Sequence, residues 1–101
     1  MFSFGSSGKG RGQFDDPSDI PVCDKSGNVA VADCQNNRVQ LFSWGGDFLR
    51  EFGHEANGSE RLEEPFSVAF TRCGEIVVQS IPLSFPTFIH RKLSVYKTYH
   101  Q

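Results

Sequence analysis

Two features of this sequence could carry chemistry. One is a glycine-rich stretch that contains Lys9, and the other is a set of three histidines scattered along the chain. A phosphate-binding loop needs four residues between its first glycine and a Gly-Lys pair that is followed by Ser or Thr. Here only two residues separate Gly5 from Gly8, and Gly10 follows Lys9. The three histidines are spaced in a way that matches no compact metal-ligand motif. The sequence therefore predicts a flexible connection at the glycines and no metal site.

The three cysteines, Cys23, Cys34 and Cys73, are odd in number and widely spaced. They form no C-x-x-C motif and no Cys/His pair at zinc-binding spacing. We therefore expect buried, unpaired thiols in a reducing compartment. The N-terminus lacks the basic and apolar regions of a signal peptide, and the longest weakly polar stretch, residues 76–89, is shorter than the about 20 residues of a membrane helix. These features predict a cytoplasmic chain with no membrane partner.

The composition is that of one small folded unit. The chain has 101 residues, 38% hydrophobic and 22% charged, with a formal net charge of -2. These values are too ordinary for a disordered chain, and there is no basic excess that would indicate nucleic acid. The charge is uneven, because all 12 acidic residues lie within residues 1–75 while residues 76–101 carry only three basic ones. This difference indicates a composition break near residue 80.

An internal repeat with a period of about 48 residues predicts the fold class, because periods of this length are typical of β-propeller blades. Phe4-Gly5 recurs as Phe52-Gly53, and the segment that begins at Pro17 recurs at Pro65, with the same spacing in both cases. The Gly-x-Val run that begins at Gly27 recurs as Gly74-Glu75-Ile76, one position short of that spacing. The fold class that follows is all-β, built of antiparallel four-stranded blades.

Alternating apolar runs between turn signals locate the strands. They predict antiparallel strands in chain order near residues 19–23, 28–33, 38–43 and 47–52, then near 66–70 and 75–79. After Val78 the pattern changes, since Pro82 and Pro86 each lack a backbone donor. A regular third strand is therefore not expected at residues 82–86.

Two motifs carry a family resemblance. The pattern Asp33-x-x-Asn36-x-Arg38-Val39-x-x-Phe42 and the stretch from Gly46 to Gly53 resemble the NHL repeat, in particular the NHL repeats that end the tripartite-motif (TRIM) ubiquitin ligases. The resemblance implies an incomplete NHL-type β-propeller. It divides the chain into a complete repeat at residues 4–53, a partial second repeat at 54–80 and a divergent tail at 81–101.

The resemblance also implies a function. In the family, ligase chemistry lies in a zinc-binding RING finger, and this sequence has no cysteine-histidine series that could form a RING or B-box. We therefore expect no catalytic residue and no cofactor, and a binding module for a protein substrate or single-stranded RNA that works with the remaining blades of a longer chain. Two alternatives stay open: an RNA-binding translational regulator without ligase activity, and part of a propeller enzyme such as a lyase.

The candidate binding residues lie where two connections meet. The connection between blades and the turn between the second and third strands emerge on the same rim of a propeller, so their basic, amide and aromatic side chains could contact a partner. These candidates are Lys9, Arg11, Gln13, Phe14, Gln35 and Asn36. Asp33 and Arg38 flank the same turn and are expected to tie it together as an ion pair. The positive electrostatic potential near these residues is lowered by three carboxylates, Asp15, Asp16 and Asp19. Both RNA and protein therefore stay open as partners of the rim.

Overall fold

The computed structural model describes residues 5–53, 62–80 and 92–96, and these residues form β-strands joined by tight turns. A single turn of 3₁₀ helix covers Cys34–Asn36. No helix of the described ranges is long and apolar enough to cross a membrane. The strands are β1 (Ser6–Ser7), β2 (Gln13–Phe14), β3 (Pro17–Asp19), β4 (Val29–Asp33), β5 (Arg38–Phe42), β6 (Phe48–Phe52), β7 (Pro65–Phe70), β8 (Ile76–Ser80) and β9 (Lys92–Tyr96).

The first large sheet is an antiparallel meander in the order β3-β4-β5-β6, which confirms the predicted all-β class. Its first strand was predicted near residues 19–23 but covers Pro17–Asp19, and pairing resumes only at a bridge from Val22 to Val29. The Asp19 carboxylate accepts a hydrogen bond from the amide of Ile20, and Pro21 has no amide hydrogen to donate. The pairing of this segment with β4 is therefore interrupted between Asp19 and Val22.

The second large sheet has the order β7-β8-β9, also antiparallel. Residues 82–86, where no regular strand was expected, lie outside the described residues. The third strand instead arrives at Lys92–Tyr96, where it pairs with β8 along its whole length. This strand lies inside the segment that was assigned as a divergent tail; the domain limits themselves stay a prediction.

The sequence repeat is visible in the backbone as well. Gly5 and Gly53 both adopt positive φ, at 102° and 107°. A Cβ at Gly5 would lie 2.7 Å from the Phe14 ring, and one at Gly53 would lie 2.8 Å from Cδ1 of Leu62. Since Leu62 stands one full repeat period after Phe14, each glycine allows close approach of the same apolar position in its own repeat.

The hydrophobic core lies between the two large sheets. Small side chains at Ala30 and Ala32 on β4 are fully buried and allow β7 to pack closely against the first sheet. At the other side of the core the rings of Phe52 and Tyr96 lie 4.9 Å apart between centroids. The buried core residues are Ala30, Ala32, Val39, Leu41, Phe52, Leu62, Val68, Ile76, Val78 and Tyr96. Face-to-face burial of neighbouring sheets is the packing expected of adjacent propeller blades.

The opposite face of the first sheet is covered by the N-terminal segment, residues 8–16. A bulge between Leu41 and Phe42 shifts the register of β6, so that Phe48 pairs with Phe42. Strict alternation predicts Phe48 on the same face as Phe52, and that prediction is wrong because of the bulge. The Phe48 ring packs edge-on against Phe42 at 5.9 Å on this face, where Phe14 also contacts Phe42 at 5.8 Å.

Candidate functional site

The turn between β4 and β5 contains a buried ion pair, at the end of the sheet that we call the upper rim (residues 8–16 and 34–37). Asp33 and Arg38 are directly opposed in the strand register. The Nε atom of Arg38 donates to Oδ2 of Asp33 over 2.8 Å, and Arg38 and Asp33 are 2% and 0% exposed. Because both charges are removed from water, each depends on the other for compensation.

Arg38 also ties the N-terminal segment to the sheet. Its Nη2 atom donates to the backbone carbonyls of Gly10 and Gln13, over 2.9 and 2.7 Å. Its Nη1 atom donates to Oε1 of the partly exposed Glu51 on β6 over 3.1 Å. One guanidinium therefore joins the turn, the outer strand and the connecting loop, which uses the several fixed donors that distinguish arginine from lysine.

The remaining bonds of Asp33 complete this network. Oδ1 accepts from the backbone amide of Asp15 at 2.7 Å, and Oδ2 accepts from Nδ2 of Asn36 at 3.0 Å. The same Asn36 amide group donates to the carbonyl of Gly8 at 2.8 Å. Gln40 accepts from the amide of Gly12 through Oε1 and donates to the Gln13 carbonyl through Nε2. The glycine-rich stretch, expected to be flexible, is thus held by side chains of the first sheet.

The six predicted rim residues are brought together, but they play different parts in the structure. Lys9 and Gln35 are exposed. Arg11 is exposed as well, and its Cζ atom lies 4.8 Å from the centre of the Phe48 ring. This geometry is that of a cation–π contact. These three side chains are the rim groups that face solvent.

The other three rim residues point into the fold. The Gln13 side chain accepts from the amide of Gly10 at 2.9 Å, while its carbonyl is bonded by Arg38 and Gln40. Phe14 is half-buried against Phe42. Asn36 is engaged with Asp33 and Gly8, as described above. These three side chains support the upper rim through contacts with the rest of the fold. Sequence spacing alone could not separate them from the three side chains that face solvent.

The second repeat replaces the ion pair with different residues. Ser80 on β8 occupies the position that Asp33 has on β4, and Lys92 is opposed to it as Arg38 is opposed to Asp33. The Ser80 hydroxyl is buried and has no hydrogen-bond partner among the described residues. Residues 81–91 connect these strands where residues 34–37 connect β4 and β5. The sequence pattern showed no counterpart after Val78 because a serine replaces the aspartate and because the residue opposed to it follows this longer connection.

The cysteines differ in their surroundings. Cys23 is buried as predicted, Cys34 is half-buried, and Cys73 is exposed, so the prediction is wrong for Cys73. Hydrogen bonding from the Ser26 side chain and backbone lowers the pKa of the Cys23 thiol. Burial raises the pKa of Cys34, and the carboxylates of Glu64, Asp16 and Asp33 raise it further. The described residues contain no group of three or more His, Cys, Asp or Glu side chains placed to hold a metal ion.

The opposite end of the strands, the lower rim (turns 23–28, 43–47 and 71–75), contains features that sequence reasoning missed. Trp44 is 63% exposed in the 43–47 turn. A cavity of about 410 Å³ lies between residues 21–25 and residues 69–72. The lone tryptophan beside Gly45-Gly46 is a sequence signal for an exposed aromatic residue in a turn. The cavity has no such signal, because its two walls come from successive repeats of the chain.

The fold and the buried pair define the class of protein. Residues 14–42, which include Asp33, Asn36 and Arg38, match the family model of the NHL repeat. The chain therefore contains an NHL repeat, and its antiparallel sheets are arranged as blades of the β-propeller that such repeats form. This confirms the resemblance drawn from the sequence motifs.

Comparison with known proteins adds distant homologues that include ubiquitin ligases. The chain is 37% identical to the protein brain tumor of Drosophila melanogaster over an alignment of 76 residues. This alignment covers 74% of this chain and 7% of that protein. It is 46% identical over 48 residues to the E3 ubiquitin-protein ligase TRIM71 of Rattus norvegicus, covering 48% of this chain and 6% of the ligase. It is 29% identical over 69 residues to the human E3 ubiquitin-protein ligase NHLRC1, covering 68% and 18%. The chain thus spans less than a fifth of the length of each.

Proposed function

We propose that this chain is a recognition module of a TRIM-like ubiquitin ligase and that it binds a protein substrate through its upper rim. The distant homology to ubiquitin ligases supports the ligase setting. The sequence has no cysteine-histidine series for a zinc finger, so its part in the proposal is recognition rather than ubiquitin transfer. The proposal places this activity in the cytoplasm, in ubiquitin-dependent protein turnover.

The observation that carries the proposal is the way Arg38 and Asp33 hold the loop that bears the exposed rim residues. Two backbone carbonyls of the loop are bonded by Arg38, and the amide of Asp15 is bonded by Asp33. A loop held at both ends presents its exposed side chains in one arrangement and loses little conformational freedom on binding. Lys9 on this loop and Gln35 on the adjacent turn are exposed, and the proposal assigns these two side chains to the protein partner.

The test compares the two rims in cells. The chain, in its natural protein, is purified from cells with the proteasome inhibited, and ubiquitin-conjugated proteins bound to it are identified by mass spectrometry. We expect a Lys9→Ala, Gln35→Ala double variant to lose a defined set of ubiquitinated partners. The matched variant Asp47→Ala, at an exposed lower-rim residue outside the cavity, keeps that set. If wild type enriches no ubiquitinated protein over a folded control domain, the proposal is wrong.

A second candidate function, RNA binding on the same rim, is favoured by one observation: Lys9 and Arg11 are both exposed on one loop. Phosphate contacts of this kind make affinity fall with salt. In a salt titration against oligouridylate, replacing both cations with alanine is expected to weaken binding and to reduce the salt slope by about two contacts. Absence of oligouridylate binding by wild type at low salt would reject this candidate.

The structure changes what a substitution at Phe14 reports. As an exposed platform, Phe14 would contribute about 1–3 kcal/mol to binding through base stacking. Its ring instead packs against Phe42 and beside Gly5. Phe14→Ala is therefore expected to lower the free energy of unfolding, and any loss of RNA binding must be separated from unfolding by measuring both.

A further inference from the structure

The lower-rim cavity lies where the turn after β3 meets the end of β7. Its walls are two segments, residues 21–25 from the first sheet and residues 69–72 from the second. The volume of about 410 Å³ falls in the range of about 300–1,000 Å³ that is usual for ligand pockets. The sheets on either side are fixed to each other by the amide of Val68, which donates to Oδ2 of Asp19 over 2.9 Å. The cavity is therefore built into the contact between the two sheets.

The floor of the cavity is apolar. Phe70 is half-buried and packs against the core between the sheets, and Cys23 is 4% exposed. Val22, which also lines the cavity, leaves 46% of its surface exposed. An apolar floor with accessible aliphatic and aromatic surface is suited to one large hydrophobic side chain of a partner.

The mouth of the cavity is positively charged. Lys25 and Arg72 line it and are both exposed, against the single carboxylate of Asp24. Neither Lys25 nor Arg72 forms an ion pair with another of the described residues. This local positive charge occurs on a chain whose net charge is -2. An acidic ligand is therefore complementary to the mouth.

We propose that this pocket binds an extended acidic peptide segment of a protein partner. An aromatic or large aliphatic side chain of the peptide inserts against Phe70 and Val22, and flanking carboxylates pair with Lys25 and Arg72. The inference rests on the proposed protein-recognition function but places a second contact at the opposite end of the strands. Single-stranded RNA fits less well, because Phe70 is packed against the core rather than standing free as a stacking platform.

Trp44 provides a natural reporter beside the site. The chain has one tryptophan, and a Cβ at Gly27 would lie 3.5 Å from Cβ of Trp44. The amide of Gly27 donates to the carbonyl of Cys23 over 2.8 Å, so the turn that forms one wall of the pocket also lies against the Trp44 side chain. Occupation of the pocket is therefore expected to change Trp44 fluorescence.

The probe is an acetylated octapeptide, Gly-Ser-Asp-Asp-Phe-Glu-Gly-Ser, titrated into the full chain while amide NMR shifts and Trp44 fluorescence are recorded. We expect shifts confined to residues 21–25, 69–72 and the neighbouring lower-rim turns. Lys25→Gln and Arg72→Gln are each expected to weaken binding by about three- to five-fold, the effect of a surface ion pair. The matched variant Arg50→Gln, which removes an exposed cation from β6 outside both rims, leaves the affinity unchanged.

Three results would overturn the proposal. The first is equal affinity for a peptide in which Asn and Gln replace the acidic residues, and the second is amide shifts that lie outside residues 21–25 and 69–72. The third is binding of oligouridylate to the same residues with higher affinity than the peptide. Failure here is distinct from failure of the proposed function, because loss of ubiquitinated partners in the Lys9→Ala, Gln35→Ala variant depends on the upper rim alone.

Discussion

Replacing Arg38 with alanine removes four hydrogen bonds from a side chain that belongs to a residue only 2% exposed. Removing one partner of a buried ion pair costs about 3–5 kcal/mol, because the other charge stays buried without compensation. Asp33 keeps its bonds from the Asp15 amide and from Asn36, which partly stabilise the carboxylate. We therefore expect a loss near the lower limit, about 3 kcal/mol of unfolding free energy, a large share of the about 5–15 kcal/mol of a whole domain.

The measurement is urea unfolding of the chain followed by Trp44 fluorescence, with the m-value compared between variants. Arg38→Lys keeps the charge but not the planar set of donors, so an intermediate loss of about 1–2 kcal/mol is expected. Arg72→Ala is the matched control, an exposed arginine without an ion pair among the described residues, with an expected change under about 0.5 kcal/mol.

The outcome that would refute the reasoning is a loss below about 1 kcal/mol for Arg38→Ala with an unchanged m-value, since a loss of that size is typical of a solvated surface pair. It would mean that water reaches the upper rim in solution and that residues 8–16 do not seal the Asp33–Arg38 pair. If Arg38→Ala does not fold at all, the intermediate stability of Arg38→Lys still tests the argument.

Three further predictions concern single side chains. Gly53→Ala is expected to lower the free energy of unfolding by about 1–3 kcal/mol, because the φ angle of Gly53 is 107° and the added Cβ would lie 3.0 Å from a backbone carbonyl oxygen. Gly45→Ala is the control and is expected to be near neutral in the same urea-unfolding assay, because its Cβ would meet nothing nearer than 3.8 Å. Ser80→Ala is expected to leave the unfolding free energy unchanged or to raise it by up to about 1 kcal/mol, because it removes a buried hydroxyl without a partner among the described residues; a loss above about 1 kcal/mol would show that the hydroxyl is bonded. The raised pKa of Cys34 leaves less thiolate at pH 8 than in free cysteine, so alkylation of Cys34, followed by peptide mapping, is expected to be slower than that of free cysteine. Glu64→Gln is expected to lower the pKa of Cys34 and to speed the reaction. Equal alkylation rates in wild type and variant would exclude the Glu64 carboxylate as a cause.

The local pattern of the sequence was sufficient for the class of fold. The repeat at Gly5 and Gly53 and the alternating runs between turn residues predict β4 to β8 to within a position or two at each end, because strand period and turn chemistry are local properties. The Asp33–Arg38 pairing was predictable for the same reason, since the two residues are close in the chain and flank one tight turn. The NHL motif was recognisable from these positions alone.

Tertiary structure decided which of the rim residues are available to a partner. Gln13, Phe14 and Asn36 have the composition of binding residues, yet they bond or pack inward because residues 8–16 fold back over the first sheet. The position of Phe48 depends on a bulge, and a one-residue register shift transfers a side chain to the other face.

The third strand of the second sheet and the lower-rim pocket were also beyond the reach of the sequence. The strand at Lys92–Tyr96 is set by pairing with Ile76–Ser80 across a long connection, residues 81–91, whose length no local pattern predicts. The pocket exists because two turns one repeat apart come together when the sheets bury Ala30, Ala32 and Val68 between them. Local residue preferences encode strands and turns, whereas a site between blades arises only when hydrophobic burial brings distant segments into contact.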